Sequence, residues 1–193
     1  MILKCKFCKI PNTDAMKKPA TSVVQKTAKP AKQKVQVSRE TFEENLHELY
    51  WCEKQLAALL PDFSKRATSY ELTSAIEAHL AVTENQIIRL IHVFDAIGER
   101  AVGKNCQDIS DIIEQFPVAA TESGYERDTT IINCCQKIME YEIRTYTMLQ
   151  MAAQKLKEEL ASEFLAIAVK EEKNTYSRLT EISLSSIYFD AAS

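Results

Sequence analysis

All three glycines of this 193-residue chain, Gly98, Gly103 and Gly124, fall in one connecting stretch, and after residue 38 the only prolines are Pro61 and Pro117. Glycine and proline are the residues that most often end helices and shape turns, so two long segments either side of that stretch are nearly free of breakers. Leu, Ala, Glu, Lys, Gln and Ile dominate both segments, which favours helix by intrinsic propensity. The expected class is all-α.

Apolar spacing divides the chain further. Thr41 with Glu44 reads as a capping box, and Phe42, Leu46, Leu49, Leu56, Leu60 and Phe63 then recur at helical spacing to about Arg66. Pro61 inside this run predicts a kink or an early end. Thr68 with Glu71 repeats the capping signature. Leu72, Ala75, Ile76, Leu90, Val93 and Ile97 carry a second stripe, stopped by Gly98. Asp128 predicts the cap of a third long helix striped by Ile132, Cys135, Ile138, Met139, Tyr146, Leu149, Ala153 and Leu156. A change of phase near Glu158 starts a fourth, with Leu160, Phe164, Leu165, Ala168, Leu179 and Ile182.

The longest connection lies between the second and third helices, and Asp108 to Phe116 within it reads as a short helix ended by Pro117. Two hairpins joined by one long crossover is the ferritin-like arrangement of a four-helix bundle. The bundle is expected over residues 39–186, with 187–193 as a C-terminal tail. Ile187, Tyr188 and Phe189 in that tail are apolar enough to pack on the bundle or on a second copy.

Residues 1–38 differ in kind. Nine lysines against the single acid Asp14 give them a charge of +8, so the rest carries −11 in a chain of formal charge −3. Pro11, Pro19 and Pro30 among Thr, Ala and Gln bury too little apolar surface to offset ordering, and a disordered Lys-rich tail is expected. No apolar run approaches the roughly 20 residues that span a bilayer, and Lys4, Lys6 and Lys9 interrupt any secretory leader at Met1–Ile10. A cytoplasmic location follows as the expectation, with no membrane partner. The six cysteines are too scattered for a disulfide framework and read as reduced thiols. Cys5-Lys-Phe-Cys8 lacks the second pair that a zinc site needs.

Chemistry is suggested by polar residues on the apolar stripes. Glu53 lies between Leu49 and Leu56, His79 follows Ala75 and Ile76 with Gln86 beyond it, Glu142 lies between Met139 and Tyr146, and Glu172 aligns with Ala168 and Leu179. An unpaired ionised carboxylate costs several kcal/mol to bury, so three helices each offering one, with His79 from the fourth, imply a compensating cation or hydrogen-bonded network. Iron or manganese suits oxygen donors with some imidazole. Tyr50, Tyr141 and Tyr146 are placed either to support such a site or simply to pack, and His47 and His92 fall off the stripe.

The segments Leu46–Leu56, His79-Leu80 with Thr83–Ile87, Gly103–Cys106, Tyr141–Ile143 with Tyr146, and Glu171–Lys173 with Leu179-Thr180 resemble the YciE/YciF family of bacterial ferritin-like stress proteins. The resemblance spans about residues 42–184. It implies a rubrerythrin-related bundle, usually a homodimer, with a two-metal carboxylate centre. Glu53, His79, Glu142 and Glu172 would be its metal residues, with Glu84, Glu140 and Glu171 as secondary candidates. The family pattern also calls for acids at 82, 139 and 176 and for His at 140, where this chain has Val82, Met139, Tyr176 and Glu140.

Two functions from different classes follow. The first is a stress-response protein that binds iron or manganese and oxidises iron or peroxide, at a site that is incomplete and so holds fewer ions or none. The second is a non-enzymatic dimeric scaffold whose +8 tail, residues 1–38, binds nucleic acid or another acidic partner. No phosphate loop, serine nucleophile motif or nucleotide fingerprint occurs.

Overall fold

The computed structural model describes residues 38–116 and 124–190, with side chains described to residue 185. The Lys-rich segment with Cys5 and Cys8 lies outside those residues, as does Pro117. Five helices follow in order: α1 (Arg39–Arg66), α2 (Tyr70–Ile97), the short α3 (Gln107–Gln115), α4 (Gly124–Leu156) and α5 (Glu159–Asp190). None is long and apolar enough to cross a membrane.

Contacts at the two ends fix the topology. Arg39 at the start of α1 bonds Glu158 in the α4–α5 turn at 2.7 Å, whereas Thr68 just beyond α1 bonds Asp128 near the start of α4 at 2.9 Å. α1 and α4 are therefore antiparallel, and α2 and α5 pack on them to close a ring of four. The α2–α4 connection joins diagonal helices from one end of the bundle to the other, while the α1–α2 and α4–α5 turns are short. This is the all-α, ferritin-like bundle with a long crossover that the spacing predicts.

The helix starts depart from the expectation in an informative way. α1 begins before Thr41, because Ser38 Oγ accepts the Thr41 N–H at 3.1 Å and serves as its cap. α1 also continues through Pro61 to Arg66 rather than ending there. Ser69, not Thr68, caps α2, accepting the Leu72 N–H at 3.2 Å. Thr68 is engaged elsewhere. Asp128 lies inside α4, not at its cap, and turns its carboxylate onto the Thr68 N–H at 2.7 Å, the Ser69 N–H at 3.0 Å and the Thr68 hydroxyl. One acid thus ties the first hairpin turn to the second hairpin.

Two hairpin helices end alike. Gly98 adopts φ 79°, and the Glu99 N–H reaches back to the Phe94 carbonyl at 2.9 Å, closing a Schellman turn. Lys157 takes the same left-handed conformation, φ 63°, with the Glu158 N–H on the Ala153 carbonyl. Lysine, at a cost of about 1 kcal/mol, takes the position a glycine usually fills, so no breaker marks the turn in the sequence. α5 stays helical to Asp190, past the expected boundary at 186, and Leu160 is turned outward while Ala161 takes the buried position.

The crossover is clipped to α1. The Lys104 N–H bonds the His47 carbonyl at 3.0 Å, and His47 Nδ1 donates to the Val102 carbonyl at 2.6 Å. A Cβ at Gly103 would lie 3.1 Å from Trp51 Cβ, so glycine lets this segment approach α1 closely.

Apolar burial is split into two clusters. One joins Phe42, Leu46 and Leu49 to Leu90, Phe94, Leu149 and Leu165, and the other joins Leu56, Leu60 and Phe63 to Leu72, Ile76, Ile131, Ile138 and Leu179. Each fully buried aliphatic or aromatic side chain contributes roughly 1.5–3 kcal/mol, so the clusters can support a polar layer between them.

Candidate metal centre

That layer is built by one or two turns from each long helix. Glu53 comes from α1, His79, Thr83 and Gln86 from α2, Glu142 and Thr145 from α4, and Glu172 from α5, all of them buried. Along every helix the apolar residues change cluster at this level, so the acids occupy the centre of the bundle.

Ligand atoms of His79, Glu142 and Glu172 lie within 4.8 Å of one another. Glu53, the fourth residue expected at the site, is not within that group, although its buried charge acts on Glu142. Neighbours hold one oxygen of each acid. Tyr146 donates to Glu53 Oε1 at 2.5 Å, the Cys52 thiol to Glu142 Oε1 at 3.4 Å, and Gln86 Nε2 to Glu172 Oε1 at 2.8 Å. The Oε2 atoms of all three acids, and both nitrogens of His79, receive no bond from a donor side chain, while the raised Glu142 and Glu172 carboxyls meet closely enough to share a proton. His79 Nε2 lies 3.9 Å from Glu172 Oε2.

The electrostatics follow from burial. Loss of water raises the Glu53 carboxyl well above its usual range, and the charge of Glu172 raises it further. Burial does the same to Glu142, with Glu53 and Glu172 adding to the rise. Glu172 is raised to about 7, again chiefly by burial, although the Gln86 bond opposes it. His79 is lowered to about 4 by burial, so its ring is neutral at neutral pH.

The Glu142 and Glu172 oxygens and the His79 imidazole, with the Glu53 acid outside the trio, form a donor set of the kind that fits a divalent cation of the iron or manganese type. Gln86, Tyr146 and Cys52 hold the opposite oxygens, which orients the free ones.

The secondary candidates do not join the group. Glu171 is at the seam, bonded to Arg89 and, at 3.3 Å, to Gln86. Glu84 is exposed, and Glu140 is on the outer face with Lys137 at 2.8 Å and the Tyr176 hydroxyl at 3.3 Å. Met139 is fully buried among apolar residues. Cys52, Thr83 and Thr145 are the residues at the layer that the stripes did not single out. Cys52 was legible, since it stands three residues after Leu49 and four before Leu56. Cys134 and Cys135 are both buried as free thiols in the cluster of Leu56, Leu60 and Phe63, as the stripe predicts for Cys135.

Fold and interior together define a ferritin-like bundle with an acidic central layer. The chain belongs to the family described as a domain of unknown function, DUF892, whose profile matches residues 37–191. It is 29% identical over 145 residues to Protein YciF of Escherichia coli (strain K12), covering 74% of this chain and 87% of that protein. The crystal structure of the E. coli stress protein YciF superposes with a TM-score of 0.69 at 26% identity, covering 80% of this chain and 98% of that one. YcfI, titled a putative structural protein from Rhodopseudomonas palustris, superposes with a TM-score of 0.72 at 27% identity, over 78% of this chain and 97% of that one. The YciF resemblance read from the segments is thus met.

Proposed function

We propose that the central layer binds a divalent metal ion, iron or manganese, through Glu142, Glu172 and His79, with Glu53 supplying further negative charge. The observation that carries this reading is the convergence of unpartnered donor atoms from three helices within 4.8 Å, whereas the other buried acids, Glu53 and Asp128, each receive a strong hydrogen bond. A bound ion of this kind supplies redox chemistry toward iron or peroxide, the activity the family resemblance implies. The chain's own residues orient the acids: Gln86 fixes Glu172, Tyr146 fixes Glu53, and Cys52 holds Glu142. Val82, Met139 and Tyr176 add no carboxylate, which favours one ion over two.

The test is metal content. Protein purified with iron or manganese supplied should hold close to one ion per chain, and Glu142→Ala and Glu53→Ala should lower it. Unchanged metal content in both variants removes the assignment.

A second reading is a scaffold without turnover. The burial of apolar Met139, where the family pattern calls for an acid, favours it. In this reading the chain is a homodimer and residues 1–38 contact nucleic acid by neutralising phosphates. Deleting residues 1–38 should then abolish a DNA mobility shift at low salt, and an unchanged shift excludes that role.

A further inference from the structure

Above His79 the α2–α5 seam opens into a groove of about 300 Å³. Small side chains make the room, Ala78 and Val82 on α2, and Ser74, Asn174 and Thr175 bring neutral hydrogen-bonding groups to its walls. Ser74, Ala78 and Asn174 are exposed, whereas the floor residue, His79, is 1% exposed. Its two ring nitrogens have no hydrogen-bond partner, which is unusual for a buried imidazole and marks a polar group awaiting a ligand. The charged residues of the lining, Glu71 and Arg178, are of opposite sign and both exposed, so the lining itself carries no net charge to draw an ion. We infer that this groove is a binding site and port for a small uncharged hydrogen-bonding molecule, of the class of hydrogen peroxide, which reaches the central layer by way of the His79 ring.

The inference deepens the metal-centre reading by naming what approaches the centre and from which side. Its test needs no metal, so the two fail separately. Diethyl pyrocarbonate is a small neutral electrophile that acylates unprotonated imidazole. Labelling of the metal-free full chain, followed by peptide mass spectrometry, distinguishes His79 from the exposed His92, because Arg89 places a tryptic cut between them. His79 should label readily despite its burial. Ala78→Phe, at an exposed helical position on the groove wall, should slow His79 at least about tenfold, leaving only opening of the bundle as a route, with His92 unchanged. Val82→Ala should speed it. The inference is overturned if His79 stays unlabelled in the folded chain, or if it labels equally fast in Ala78→Phe and the parent. Metal content, measured separately on the parent, decides the metal reading whatever the labelling shows.

Discussion

The Tyr146 hydroxyl of α4 donates to Glu53 Oε1 of α1 at 2.5 Å, in a place where neither residue touches water. This bond is a direct polar link between the acidic layer and the apolar cluster of Phe42, Leu46 and Leu49, in which Tyr146 is packed. It also works against burial, because a donated hydrogen bond favours the ionised form of Glu53.

Tyr146→Phe keeps the ring and deletes the donor. Glu53 would then have both oxygens unpartnered, at a cost of about 1–3 kcal/mol. A chain of this size loses roughly 2–4 °C of melting temperature per kcal/mol, so calorimetry should show a drop of several degrees. A variant as stable as the parent would mean that Glu53 is already neutral and indifferent to its donor.

Asp128 offers a second test at the far end of the bundle. Its carboxylate receives two backbone N–H groups and a hydroxyl from the α1–α2 turn. Charge-assisted bonds of this kind are the stronger ones, and Asp128→Ala should cost about 2–4 kcal/mol in urea denaturation. Asp128→Asn, which keeps an acceptor, should recover part of the loss. An effect below about 0.5 kcal/mol for Asp128→Ala would show that the turn holds without it.

These two residues also show what could and could not be read from the sequence. Tyr146, Glu53, Glu142 and Glu172 were legible because a helix repeats every 3.6 residues, so a polar side chain in phase with leucines must face inward. Asp128 was visible as a capping residue, but its partner was not, since periodicity says nothing about which helix stands opposite. The same limit hid Gln86 as the donor to Glu172. Lys157 was illegible for a different reason: a left-handed lysine leaves no mark in composition, and only the change of stripe phase betrayed the turn. Glu140 and Glu84 were misleading because a rotation of one residue about the helix axis, roughly 100°, moves a carboxylate from the core to the surface.

The acidic layer should make the metal-free protein less stable as pH rises. Glu53 and Glu142 have folded-state pKa values raised above the ordinary 4.5, so the native state holds their protons more tightly than the unfolded chain does. That contribution is full below about pH 4.5 and is lost as pH climbs through the folded values. Glu172 behaves likewise between 4.5 and about 7, a loss of about 3 kcal/mol. His79 has the opposite sign. Its pKa falls from 6.5 to about 4, so the cost of charging it in the core is relieved as pH rises through that window, by about 3 kcal/mol. The His79 and Glu172 effects nearly offset, which leaves Glu53 and Glu142 to set the slope. Melting temperature of metal-free protein should therefore fall between pH 5 and 8. Glu53→Gln and Glu142→Gln, which cannot ionise, should each flatten that slope and melt higher than the parent at pH 8. Manganese should act in the reverse sense, stabilising most where the acids are ionised, because binding requires their deprotonation. If the glutamine variants keep the parent's slope, the acids do not carry the strain that burial assigns to them.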